Sequence, residues 1–353
     1  MNKLGKGQAE LLTMNAAGAS MSRDGASGAV TEHGGRLAAA RLLFPGAPEP
    51  FLDLSTGINP VPYRLARFPA DAFTRLPEPE ALWELQAIAA AAYGAASPEM
   101  VAAAPGTQIL ISLLPHLLSW RDVAVLGPTY AEHALSWRAA GARVTETDDP
   151  AELARHEVAV LCNPNNPDGR RHGRAALAEL ASRVRLLVVD ESFADFDGPE
   201  RNAAPLLPRP DLLVLRSFGK SYGLAGLRLG FALAEPTLAG RLRAAMGPWA
   251  VSGPALAVGI PALRDRNWLM EASRRCAVDA LRLDMLLARA GFRILGGTSL
   301  FRLAAHEDAP GWFARLGWAG ILVRQFREQP GWLRFGLPGD EAGWTRLEAA
   351  LLR

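Results

Sequence analysis

Four near-continuous apolar runs, Val123 to Leu126, Val158 to Cys162, Leu186 to Val189 and Leu212 to Leu215, constrain the fold of this chain more than any other feature. A strand with one wet face alternates polar and apolar residues. These runs do not alternate, so each must be covered on both faces. Helical segments separate them, and a mostly parallel (mixed) sheet covered by helices satisfies both facts, which makes the expected fold class α/β. The runs end in Gly127-Pro128-Thr129-Tyr130, Asn163-Pro164-Asn165-Asn166-Pro167, Asp190-Glu191-Ser192-Phe193 and Ser217-Phe218-Gly219-Lys220. Polar residues from distant stretches therefore converge on one sheet edge, where open α/β sheets place their ligands.

At 353 residues the chain is long enough for two lobes. Residues 1–30, rich in Ala, Gly and Ser without apolar periodicity, are expected to form a disordered tail. Residues 31–75 read as an N-terminal arm, with a short helical pattern through Leu43 and a strand from Phe51 that ends in a turn at Pro60. Residues 76–246 read as the large domain, which opens with a helix from Ala81 to Tyr93 stopped by Gly94. Pro115 should end or kink a second helix that begins near Gly106. Residues 247–353 read as a smaller α+β lobe. It holds a Gly/Pro-rich passage from Gly247 to Pro261, a long helix from Asn267 to Ala290, four short strands and a last helix capped by Asp340.

A formal net charge of +2 gives no reason to invoke nucleic acid or a membrane surface, which leaves small molecules as the expected substrates. Cys162 and Cys276 suggest neither a metal-ligand cluster nor a disulfide framework, so no metal is expected. With no signal peptide or long apolar span, a cytoplasmic location is expected.

Lys220 sits on a turn just past the run Leu212 to Leu215, with Ser217 three residues before it and Arg228 eight after. A hydroxyl and a guanidinium that can hold a phosphate, beside an amine that can form an imine, are what pyridoxal 5′-phosphate (PLP) chemistry needs. Asp190 closes another buried run, where a carboxylate requires a cationic partner; a protonated pyridine nitrogen would serve, and so would the role of helix cap.

Ser217 to Gly230 resembles the Schiff-base segment of the fold-type I PLP enzymes, the aspartate aminotransferase superfamily. The resemblance implies that Lys220 is the catalytic lysine and that Asp190 faces the pyridine nitrogen. Within the pattern Asn-Pro-x-Asn-Pro-x-Gly, it puts Asn166 on the phenolic oxygen of the cofactor, with Asp168 in place of the usual Thr. It also implies that Tyr130 stacks on the ring and that Gly106, Thr107 and Gln108 receive the phosphate at a helix N-terminus together with Ser217 and Arg228. Phe193 stands where many relatives have a tyrosine that touches the phenolic oxygen. Leu76 replaces a tyrosine that reaches the PLP phosphate of the partner subunit, which puts that contact in doubt while a homodimer stays expected.

The C-terminal lobe carries Arg334, which matches the arginine that grips the substrate α-carboxylate, and Arg324, placed like the phosphate-binding arginine of histidinol-phosphate aminotransferases. His33-Gly34-Gly35, followed by Ser55, Ile58, Asn59 and Pro60, resembles the threonine-phosphate decarboxylases of cobalamin biosynthesis. That resemblance implies that His33, Gly34, Gly35, Ile58 and Asn59 join Asn166, Arg324 and Arg334 around a phosphorylated amino acid. The implied reaction is decarboxylation of L-threonine O-3-phosphate to (R)-1-amino-2-propanol O-2-phosphate, Lys220 returning a proton to Cα. A histidinol-phosphate-type aminotransferase would share all of the cofactor residues. A PLP-binding transcription regulator would need a helix-turn-helix region, which the N-terminal stretch does not offer.

Overall fold

The structure, a computed structural model, describes Gly28 and residues 33–352; the tail expected over residues 1–30 lies, Gly28 apart, outside the described residues. Seven strands form the larger sheet: β2 (Val101–Ala104), β3 (Asp122–Leu126), β4 (Arg143–Thr147), β5 (Val158–Cys162), β6 (Leu186–Asp190), β7 (Leu212–Ser217) and β8 (Gly230–Ala234). Their order is β2-β8-β7-β6-β5-β3-β4, and β8 alone runs against its neighbours. From β3 the chain steps out to the edge at β4 and returns on the other side at β5. The reversal opens a crevice at the carboxyl ends of β3 and β5.

Helices cover both faces, as the uninterrupted apolar runs require. On one face pack α2 (Pro79–Tyr93), α5 (Arg174–Ala181) and α8 (Gly253–Arg264); on the other pack α3 (Thr107–Leu117), α4 (Glu132–Ala139) and α7 (Pro236–Met246). Local chemistry sets their ends. Proline opens α2 at its first turn and Gly94, in the left-handed region at φ 82°, closes it. Pro115 lies within α3, which ends two residues later.

The smaller sheet has the order β1-β11-β12-β10-β9, with β9 (Arg293–Thr298), β10 (Phe301–Ala305), β11 (Ile321–Gln325) and β12 (Trp332–Gly336) antiparallel. Its edge strand, β1 (Leu52–Leu54), comes from the N-terminal arm and pairs parallel with β11. The arm also brings α1 (Leu37–Leu43), whose Ala39 and Ala40 join the same core as α10 (Ala309–Trp318) and α11 (Glu341–Leu352). The long helix α9 (Arg266–Arg289) leads from the large sheet's helices to this core. Asp265 caps it, accepting from the Trp268 amide at 2.9 Å. The Gly/Pro-rich passage from Gly247 to Pro261 contains most of α8, with Ser252 as its N-cap.

Candidate active site

The lysine rests on α6 (Phe218–Ser221), a single turn at the end of β7. Its amine is buried and lies 4.5 Å from the centre of the Phe193 ring. Burial pushes the Lys220 pKa down; Asp190 opposes this, while the Arg334 and Arg228 guanidinium groups act with it. A fraction of neutral amine is thereby available closer to neutral pH than for an exposed lysine. Asn59, in the loop after β1, supports the turn from behind: its amide donates to the Lys220 carbonyl at 2.8 Å and its side chain to the Ser221 carbonyl at 2.9 Å.

Asp190, at the end of β6, is buried with one oxygen 2.9 Å from His133 Nε2 and the other accepting from the Ser192 amide at 2.9 Å. Burial works to raise its pKa, but the His133 bond and charge and the Lys220 charge outweigh it, and the carboxyl is held below the usual range. For His133 burial works downward, and Cys162 and Asp190 outweigh it, so the imidazole stays protonated well above its ordinary range. The two are a buried ion pair on the floor of the cleft. His133, Cys162 and Asp190 bring their ligand-capable atoms within 4.8 Å of one another, a grouping that sequence reasoning missed. The signal was a histidine three residues past Tyr130, on the first turn of the helix that follows β3.

Above this floor α3 points its N-terminus into the cleft, where Gly106, Thr107 and Gln108 all line the wall, and no side chain caps it among the described residues. Gly106 has φ 90°, and a Cβ there would stand 2.5 Å from the Arg228 guanidinium. Ser217, Arg228, Lys220, Tyr130 and Asn166 line the same cleft. The Gly106 amide, expected on the phosphate, instead donates to the Ala104 carbonyl at 2.7 Å, because the tight turn into α3 uses it. The Thr107 and Gln108 amides at the helix N-terminus, beside a guanidinium, a buried anionic carboxylate and the lysine amine, fit a phosphorylated pyridine.

The second wall comes from the smaller lobe. Arg334, buried on β12, donates from Nη2 to the Ser55 carbonyl at 2.7 Å and from Nη1 to Asn166 Oδ1. Burial and the facing Arg324 draw its pKa down and Asp53 opposes them. A guanidinium starts high enough to stay cationic at neutral pH.

His33, Gly34 and Ile58 line the cleft as expected. Three residues expected around the substrate lie elsewhere. Asn59 is buried behind the lysine turn, because its amide completes backbone carbonyls there. Gly35 sits back from the cleft, its amide donating to Ser55 Oγ at 2.7 Å. Arg324 stays on β11 opposite Arg334, its guanidinium 5.4 Å from the Phe326 ring centre, outside the lining of the cleft. His33 Nε2 lies 3.2 Å from Glu132 Oε1, whose other oxygen accepts from Gln108 Nε2 at 3.1 Å; Tyr130 in turn donates to Gln108 Oε1 at 3.0 Å. Sequence reasoning missed Glu132, for a lone acid on a first helical turn looks like any other.

A family model described as aminotransferase class I and II matches residues 70–351. The threonine-phosphate decarboxylase of Pseudomonas aeruginosa is 44% identical over 329 residues, spanning 91% of this chain and 97% of its own length. A threonine-phosphate decarboxylase of Sinorhizobium sp. is 42% identical over 331 residues with the same coverage, 91% and 97%. Among solved structures, histidinol-phosphate aminotransferase from Sinorhizobium meliloti in complex with pyridoxal-5'-phosphate superposes with a TM-score of 0.71 at 23% identity, covering 78% of this chain and 82% of that one. The chain belongs to the aminotransferase class I and II family.

Proposed function

We propose that this chain is a PLP-dependent carboxy-lyase that converts L-threonine O-3-phosphate to (R)-1-amino-2-propanol O-2-phosphate in cobalamin biosynthesis. The observation that carries the reading is a pair of anion grips in one cleft with Lys220, Arg334 on β12 and the His33-Gly34 segment, which flank the Ser55 carbonyl. A substrate with a carboxylate at one end and a phosphate at the other fits that pair. The threonine-phosphate decarboxylases at 44% and 42% identity support the same choice.

Bound PLP supplies an electron sink for the charge that develops at the substrate's Cα. The chain's own residues do the rest. The Thr107 and Gln108 amides, with Ser217 and Arg228, would hold the cofactor phosphate; Asp190, kept anionic by His133, would serve the ring nitrogen, Tyr130 the ring face and Asn166 the phenolic oxygen. Arg334 orients the α-carboxylate, and its bonds to Asn166 and Ser55 limit how it can turn. Lys220 Nζ, whose pKa burial lowers, returns a proton to Cα after CO₂ departs. Residues 31–75 act as the substrate-closing arm; the cofactor domain runs from residue 76 through α8, which packs on the large sheet and so shifts the boundary expected at 246 to the end of that helix, and the small domain follows.

Two chains would form a homodimer through the apolar face around α2 and α8. Both cysteines are free and buried, which suits a reducing cytoplasm; no helix among the described residues is long and apolar enough to cross a membrane. The test is direct. Purified, PLP-loaded protein is incubated with L-threonine O-3-phosphate, and separately with histidinol phosphate plus 2-oxoglutarate. CO₂ and the amino-propanol phosphate are expected from the first. Glutamate from the second without CO₂ from the first would make the chain an aminotransferase.

A further inference from the structure

We propose that Ser55 is a positioning residue that joins the His33-Gly34-Gly35 segment to Arg334, so that seating the substrate's phosphate sets the direction in which its carboxylate is held. The inference rests on the phosphothreonine reading and adds to it the residue on which the choice of broken bond depends.

Ser55 is buried and every polar group it has is engaged. Its hydroxyl donates to Asp53 Oδ1 at 2.5 Å and accepts from the Gly35 amide at 2.7 Å; its own amide donates to Asp53 Oδ1 at 2.9 Å. Its carbonyl accepts from Arg334 Nη2 at 2.7 Å. One residue thus bonds both the segment that carries His33 and the arginine on β12.

Steric contacts repeat the same link. A Cβ on Gly34 would collide with the Ser55 carbonyl, the atom that holds Arg334, and a Cβ on Gly336 would collide with the Thr56 carbonyl. The turn at residues 54–56 is therefore clamped between the segment and the end of β12. Arg334 has Nη1 on Asn166 and Nη2 on Ser55, and its buried Nε has no hydrogen-bond partner among the described residues. Such a guanidinium cannot swing independently of Ser55. The direction in which it meets a carboxylate decides which bond at Cα stands perpendicular to the ring: the bond to CO₂, or the bond to hydrogen whose loss leads to amine transfer.

The wild type is assayed first; if it releases no CO₂ from L-threonine O-3-phosphate, the parent reading fails and Ser55 is not in question. Given that activity, Ser55→Ala is expected to raise KM about tenfold. It should also raise, by about tenfold, the yield of 2-oxo-3-phosphooxybutanoate per CO₂. In that side reaction Cα loses its proton in place of CO₂, the amino group stays with the cofactor, and water releases the carbon skeleton. Hydrogen exchange at the Gly35 amide should quicken, while the cofactor absorbance holds. Ser55→Thr, which keeps the hydroxyl, should restore the wild-type ratio. An unchanged ratio in a folded, cofactor-loaded Ser55→Ala, even with lower kcat, would reduce Ser55 to a turn residue and overturn the proposal. Should that variant not fold, Gly34→Ala presses on the same carbonyl and is read by the same ratio.

Discussion

His133 is the residue whose role the structure adds to the sequence. As a buried imidazolium it keeps Asp190 anionic, and the pair carries a signed pH dependence. Its folded pKa is raised, so its contribution to stability is fully present below the unfolded value of about 6.5 and is lost as pH rises through the folded value. Asp190, with a lowered pKa, contributes above its unfolded value of about 3.9 and loses that contribution as pH falls through the folded one. Between pH 7 and 9 the wild type should therefore lose stability relative to His133→Gln by at most about 1.4 kcal/mol per pH unit. Urea unfolding at several pH values measures the slope; parallel curves for the two proteins would remove the imidazolium. Lys220→Ala should abolish the visible absorbance of lysine-bound PLP and lower turnover by about a thousandfold or more. A retained band would reject the lysine. Lys220, Asp190, Asn166 and Arg228, whose roles the resemblance implies, come together in one cleft because the apolar runs end at one sheet edge. His133 was not legible in the sequence, because its partner lies 57 residues away and only the sheet brings them together.

At the scale of elements, what was legible depended on burial. β5, β6 and β7 each open with four consecutive buried apolar residues and could be read off the sequence. β2 is Val-Ala-Ala-Ala and β4 is Arg-Val-Thr-Glu-Thr; alanine favours helices, and a half-exposed edge strand lacks an apolar signature, so neither stood out. The N-terminus of α3 is the element with the sharpest functional demand. Gly106 needs a positive φ and has no room for a side chain beside Arg228, so Gly106→Ala should displace the guanidinium. PLP affinity is expected to fall by about tenfold or more. Gly141→Ala is the control: φ is also +83° there but a Cβ meets nothing within 4 Å, so it should cost about 1 kcal/mol of stability and leave PLP affinity alone. Fluorescence titration with PLP separates them; equal affinity in all three proteins would take the phosphate away from α3.

At the scale of the molecule, the two lobes meet where backbone approaches backbone. A Cβ on Gly169 would strike the Gly297 carbonyl, and Arg171 bridges both by donating to the Gly169 carbonyl at 2.6 Å and that of Gly297 at 3.3 Å. The loop bearing Asn166 is thus seated on β9. A second face is left uncovered. Phe73 is 71% exposed and Leu76 63%; Leu65, Trp83 and Trp249 are exposed as well. They come from the segment before α2, from α2 itself and from the approach to α8, which packs on α2 with its first residue, Gly253, against Ala72. Exposed aromatic and aliphatic side chains of this kind are what an obligate interface hides. Sedimentation should give twice the 37.8 kDa chain mass, and the melting midpoint should rise with protein concentration. Phe73→Glu with Trp83→Glu should yield monomers whose midpoint ignores concentration; a wild type that sediments as a monomer refutes the dimer. Leu76 has no hydroxyl with which to reach a neighbouring phosphate, and the phosphate donors proposed here all belong to one chain. The monomeric variant should therefore still bind PLP within about threefold of wild type, which is under 1 kcal/mol. A loss of a hundredfold or more would mean that the partner subunit completes the phosphate site through some other residue.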